Sequence, residues 1–120
     1  MKVKIGDNTF TVKVMDDYRK RAEGMMNKTF NEYFNGMLFL MTDHTNCFWM
    51  KNCIIPLDII YIDNQIISKV HHNCPPCVDE DCENYCGRGY LILEVEGGTC
   101  KNLGSKKGDS VKFLINSPSF

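Results

Sequence analysis

Apolar and polar positions alternate from the first residues of the chain. Val3 and Ile5 are flanked by lysines, Gly6-Asp7-Asn8 interrupts the pattern, and Phe10, Val12 and Val14 resume it. A period of two broken by a glycine-containing turn predicts a β-hairpin over residues 1–15. Asp16-Asp17 then opens a segment from Tyr18 to Met26 that predicts a short helix, capped by aspartate and weakened at its far end by Gly24. Beyond it the apolar residues come in short runs. Gly36 to Met41, Cys47 to Met50, Leu57 to Ile62, Ile66 to His72, Tyr90 to Val95 and Ser110 to Ile115 each predict a strand, separated by Asp63-Asn64-Gln65, Gly97-Gly98, Gly104 and Gly108-Asp109. Many short strands and one helix near the N-terminus predict a mainly β fold, a sandwich or a partly open barrel.

One segment has no such pattern. Asn73 to Gly89 holds Pro75, Pro76 and four cysteines, and reads as a long cysteine-rich loop. A loop of that length in a compact domain is tethered, functional or disordered, and the cysteines argue that it is tethered.

The chain has 120 residues, enough for one domain, and we read residues 1–120 as a single unit. A formal net charge of -1 gives no basic stripe for nucleic acid and no attraction to an anionic membrane. No apolar run approaches the roughly 20 residues of a membrane span. The first fifteen residues alternate rather than form a continuous apolar segment, so no signal peptide is recognised and a cytoplasmic location is expected.

Seven cysteines change the picture. The number is odd, so at least one thiol has no partner within the chain. Cys74, Cys77, Cys82 and Cys86 follow the spacing C-x2-C-x4-C-x3-C, which can surround one tetrahedral zinc ion. An iron–sulfur cluster is the second metal option by ligand type. The alternatives to a structural zinc are one or two disulfides closing the loop, or thiols left free, with the redox compartment deciding among them. His71 and His72 precede the loop and read as the end of a strand, one facing in and one out. Cys47, Cys53 and Cys100 read as small hydrophobes, and the seven methionines as core filler, although thioethers can also bind Cu(I).

A second constellation surrounds Phe48-Trp49-Met50-Lys51-Asn52 and the nearby Ile55-Pro56-Leu57-Asp58. Asp58 sits inside an apolar run, so if buried it needs donors or a cation, which Lys51, Asn52 or Arg21 could supply. Trp49, Lys51, Asn52 and Asp58 are the candidates for a small ligand pocket, with the indole as its wall. Alternatively Asp58 fastens a turn through backbone amides while Trp49 fills the core. Cys53, His71 or His72, and Asp58 would be the parts of a thiol-dependent hydrolase, but nothing in their spacing supports one.

Several of these pieces together resemble the domain of unknown function 192 family. The residues that carry the likeness are Arg21 with Gly24-Met25-Met26, Gly36-Met37-Leu38-Phe39, Phe48 to Asn52, Ile55 to Ile60, Leu93-Glu94-Val95, Gly97-Gly98, Gly104 and Gly108-Asp109, spanning about 21–111. The resemblance implies a β-sandwich-like fold with one short helix and no established activity. Cys53 departs from it, since relatives commonly have threonine there. It favours a Cys77–Cys82 disulfide, which would leave Cys74 to pair with Cys86. The asparagine- and lysine-rich form looks like phage-encoded versions, in which the domain would be part of a larger assembly. These readings lead to an accessory or binding module with a protein partner or small ligand as its target, or to a structural protein with a stapled loop. The sequence itself names no substrate.

Overall fold

A computed structural model describes residues 1–114; Ile115, the predicted end of the last strand, lies outside the described residues. Among the described residues nine strands and two short helices follow one another. They are β1 (Lys2–Ile5), β2 (Asn8–Met15), α1 (Tyr18–Glu23), β3 (Gly36–Leu40), β4 (Thr45–Phe48), β5 (Leu57–Asp63), β6 (Ile66–Cys74), β7 (Tyr85–Arg88), β8 (Leu91–Glu96), α2 (Thr99–Leu103) and β9 (Val111–Leu114).

Seven strands form one sheet in the order β6-β5-β8-β3-β2-β1-β9. All neighbours are antiparallel except β2 and β3, where Val12 to Met15 pair in parallel with Gly36 to Phe39. The sheet curls until its two edges touch at one end, where Ile66 bridges Ser110 and the Ile67 amide donates to the Asp109 carbonyl at 2.9 Å. The result is a half-barrel rather than a sandwich, because β4 and β7, the only strands outside this sheet among the described residues, form a two-stranded ribbon.

The central strands β3, β5 and β8 are apolar at consecutive positions because both of their faces are covered. Alternate side chains therefore divide between two cores. Leu38, Ile60, Ile62, Leu93 and Val95 join Val3, Ile5, Phe10 and Val12 inside the curl. Met37, Phe39, Ile59, Tyr61 and Ile92 face the other way, against Met25, Phe34, Met50, Cys53 and Cys74. This second core lies under α1, the segment that follows it, and the β4–β7 ribbon.

Three elements differ from the sequence reading. A second helix, α2, follows Gly98. The cysteine-rich loop is shorter than 73–89, since β6 continues to Cys74 and β7 begins at Tyr85. β7 (Tyr-Cys-Gly-Arg) has no apolar alternation to announce it. Tertiary contacts hold it instead: the Tyr61 hydroxyl lies 2.6 Å from the Tyr85 carbonyl and 3.0 Å from that of Asn46, tying both ribbon strands to the sheet. Gly87 lies flat on the Tyr61 ring, and a Cβ there would come within 2.5 Å of it.

Candidate functional site

The second core is not completely filled. Between α1, the Phe48 to Cys53 segment and strand β8 lies a cavity of about 280 Å³, walled by Met25, Met26, Phe39, Met41, Phe48 and Trp49. Each wall has a local cause. The Asp17 side chain caps α1 by accepting from the Lys20 amide at 2.8 Å. Gly24, at φ 46°, ends the helix and lets the chain pass against the Phe39 ring, where a Cβ would sit 3.1 Å away. That turn delivers Met25 to the core and Met26 to the cavity, and Met26 bridges Cys53 across the gap. Phe39 and Phe48 pack edge to face with centroids 4.8 Å apart.

Glu94 lines the cavity from β8. It is 4% exposed, and it pairs in register with Met37 and Ile59, two buried apolar neighbours. Burial acts on its carboxyl, with neither a hydrogen bond nor a cation close enough to offset it among the described residues, and pushes it up from 4.5 to about 8.

Asp58, on the adjacent strand β5, shows the opposite solution. Its register partner is Val95, one step from Glu94, so the two carboxylates project from opposite faces of the sheet. Asp58 is 0% exposed, and it is fully partnered. Its Oδ1 accepts from the Asn73 amide at 2.7 Å and the Gly98 amide at 3.1 Å, and its Oδ2 from the Cys100 amide at 2.8 Å. Asp58 thus caps α2 from a distance and clamps the end of β6 beside it.

Of the four residues read as ligand contacts, the structure therefore brings two to the cavity. Trp49 stands at its mouth, 49% exposed, as a wall and not as core filler. Lys51 also lines it, with its Nζ donating to the carbonyls of Val78 (3.0 Å) and Asp79 (2.7 Å). Asn52 adopts φ 60° in a turn, its amide donating to the Cys77 carbonyl and its carbonyl accepting from the Asn27 amide, both at 2.8 Å. Asp58 lies on the far face. Sequence reasoning missed Glu94 as a site residue, although the signal used for Asp58, a lone acid in an apolar run, is equally present in Leu91-Ile92-Leu93-Glu94-Val95. Arg21, like Lys51 and Asn52 read as a possible partner of a buried Asp58, does not meet it but lines the cavity, and its Nη1 donates to the Leu40 carbonyl at 3.1 Å.

The loop cysteines do not share a centre. Cys77 and Cys82 form a disulfide, and Cys86 pairs not with Cys74 but with Cys47, its cross-strand partner between β7 and β4. Cys74 is buried and free. The four thiolates of the zinc or iron–sulfur reading are separated because Cys86 is drawn onto the ribbon and Cys74 into the core. Among the described residues no group of three or more His, Cys, Asp or Glu could hold a metal ion.

The parts of a thiol enzyme are also kept apart. Cys53 is buried in the second core, and burial, reinforced by the Glu94 carboxylate, pushes its thiol up to about 11, too high for a nucleophile at neutral pH. Both Asp58 oxygens are committed to amides. His71 is edge-on to the Tyr61 and Tyr85 rings, with its Nε2 2.8 Å from the Cys86 carbonyl, and His72 is exposed. Among the described residues no helix is long and apolar enough to cross a membrane.

Comparison with known proteins identifies the lineage without adding an activity. No curated protein matches the chain. A protein of unknown function from Novosphingobium aromaticivorans DSM 12444 has a similar structure, with a TM-score of 0.81 and 30% identity over 93% of this chain and 84% of that one. A candidate transcription regulator from Sinorhizobium meliloti 1021 superposes with a TM-score of 0.78 and 28% identity, covering 92% of this chain and 91% of the other. The model of the DUF192 family, described as "Uncharacterized ACR", matches residues 1–113, and the chain belongs to that family.

Proposed function

We propose that this domain is a non-enzymatic binding module whose ligand enters the cavity between α1, the Phe48 to Cys53 segment and β8. The observation that carries this reading is the Glu94 carboxyl, only 4% exposed and without a hydrogen-bond partner among the described residues, which reaches a mostly apolar cavity whose other charged side chains, Arg21, Glu23 and Lys51, are engaged elsewhere. A buried acid without a partner costs stability, and a fold that keeps one where a cavity opens onto it leaves the partner to be supplied from outside. A mostly apolar lining with a few placed polar groups is also the usual composition of a small-molecule site. Catalysis is disfavoured by the unreactive thiol of Cys53 and the committed oxygens of Asp58.

The two disulfides brace the site. Cys47–Cys86 locks the ribbon that carries Cys47 and Phe48 into the wall, and Cys77–Cys82 closes the loop whose carbonyls hold Lys51. They favour an oxidising setting over a reducing cytosol. The near-balanced charge supports no nucleic-acid role, so the name given to the Sinorhizobium relative is not carried over.

Trp49 is the sole tryptophan and half exposed at the mouth, so its emission reports on the cavity. A fragment library screened by Trp49 fluorescence and thermal shift should yield compounds that bind the wild type. Ala22→Phe, which fills the cavity from the exposed side of α1 and leaves Trp49 the sole tryptophan, should lose them. The reading fails if no fragment binds, or if every binder is indifferent to Ala22→Phe.

A further inference from the structure

The geometry points to a protonated organic amine on an apolar body as the ligand class, with the Glu94 carboxylate as its counter-ion. This inference rests on the reading of the cavity as a binding site and names what fills it. Of the two carboxylates in the lining, Glu94 alone is buried, and Glu23 is exposed on α1 and engaged with Arg19 and Lys28. Calcium and magnesium need several oxygens, and no cluster of metal-binding side chains exists among the described residues. A neutral apolar molecule would bury the acid still further and leave it unpaired. An ammonium group meets the carboxylate directly, and its apolar body meets the methionines. Phe39, Phe48 and Trp49 add aromatic rings to the lining, side chains of the kind that attract a cation.

The charged groups already at the site leave this position open. Arg21 and Lys51 direct nitrogens to backbone carbonyls of Leu40, Val78 and Asp79. Neither acts on the Glu94 carboxyl, which responds to burial alone. Glu23, on α1, lines the rim, where its carboxylate contacts Arg19 and Lys28 at 3.7 Å. Titratable groups that sense Glu94 are Cys53 from the segment after β4, Tyr61 from β5 and Cys74 from β6. Burial holds Cys53 up to about 11, Cys74 up to about 12 and Tyr61 well above its ordinary value, so none of these three changes charge near neutrality. β3 contributes Phe39 to the lining and no titratable group.

Binding then exchanges charge for proton. The free site holds Glu94 largely protonated at pH 7, and the arriving ammonium ion keeps its own protons while the carboxyl proton leaves to solvent. A carboxyl titrating near 8 is about 1% ionised at pH 6 and half ionised at pH 8, so amine affinity should rise about fifty-fold across that interval.

Isothermal titration of the oxidised protein with phenethylamine and hexylamine, in buffers of different ionisation enthalpy, tests this. Phenethyl alcohol, hexanol and calcium ion serve as comparison probes. We expect the amines alone to bind, with about one proton released per amine at pH 7 and the roughly fifty-fold rise from pH 6 to pH 8. Glu94→Gln, checked for folding by its melting curve, should lose the amine and the proton release together. The proton count needs only the wild type, so the inference stays falsifiable even if the variant misfolds. Alcohols binding as tightly as the amines, without proton release, would overturn the amine class while leaving a binding pocket. Calcium binding lost in Glu94→Gln would overturn it in favour of a metal. If no probe of any class binds here and the fragment screen is also empty, the binding module itself falls.

Discussion

Replacing Glu94 by glutamine removes the ionisable group and keeps the shape, which makes it the sharpest probe of the fold's energetics. The unfolded chain binds the Glu94 proton with an ordinary affinity near 4.5, and the folded chain holds it to about 8. Glu94 therefore costs the wild type nothing below pH 4.5. The cost grows as pH rises from there to 8, and then levels off. At ~1.4 kcal/mol per pH unit, the full difference is about 5 kcal/mol, an upper bound because the site can relax or admit water. Glutamine carries no such dependence. Its amide still lacks a partner, but that cost, about 1–3 kcal/mol, is the same at every pH. Urea unfolding of both proteins at pH 5, 6.5 and 8 isolates the Glu94 contribution, since every other titration is common to the pair. The stability of Glu94→Gln relative to wild type should increase by about 3–4 kcal/mol from pH 5 to pH 8. A difference that stays flat, or that moves in favour of the wild type, would refute the assignment of Glu94 as a buried acid without a partner.

Asp58→Ala should behave in the opposite way: it strands the amides of Asn73, Gly98 and Cys100, lowering stability by about 3–5 kcal/mol at neutral pH, measured by urea unfolding. Gly87→Ala drives a methyl into the Tyr61 ring and should cost about 1–3 kcal/mol, with an altered tyrosine near-ultraviolet dichroism as the ribbon lifts from the sheet. Mass spectrometry without reductant should find four hydrogens fewer than the reduced chain, and alkylation should reach Cys53, Cys74 and Cys100 only after unfolding. Replacing Cys47 and Cys86 together by serine should lower stability by about 4 kcal/mol for the loop they close, and should weaken whatever the cavity binds.

Much of this fold was legible because its signals are local. The β1–β2 hairpin shows period-two alternation around a turn, α1 has its own aspartate cap, and the doubly covered strands are continuous apolar runs. What escaped was determined at long range. α2 takes its cap from Asp58, about forty residues earlier in the chain, so nothing beside Gly98 marks a helix start. β7 exists because Tyr61 and Cys47 hold it, and its own four residues have no strand pattern. The cysteine spacing suggested a shared metal centre because spacing along the chain cannot reveal that Cys86 faces Cys47 across a ribbon. The site divided for the same reason. Trp49 and Lys51 were found because a tryptophan and a lysine amid apolar residues stand out. Asp58 and Glu94 carry the same signal, an acid in an apolar strand. Only the register between β5 and β8 separates the partnered clamp from the unpartnered cavity floor.

The central claim, that Glu94 is held without a partner until a ligand supplies one, is tested most directly by following the Glu94 side-chain carboxyl by carbon NMR as a function of pH. The account predicts a midpoint near 8 in the free protein, falling below about 6 when phenethylamine is present. A midpoint near 4.5 in the free protein would contradict it. So would one near 8 that phenethylamine, at concentrations that saturate the calorimetric signal, leaves in place.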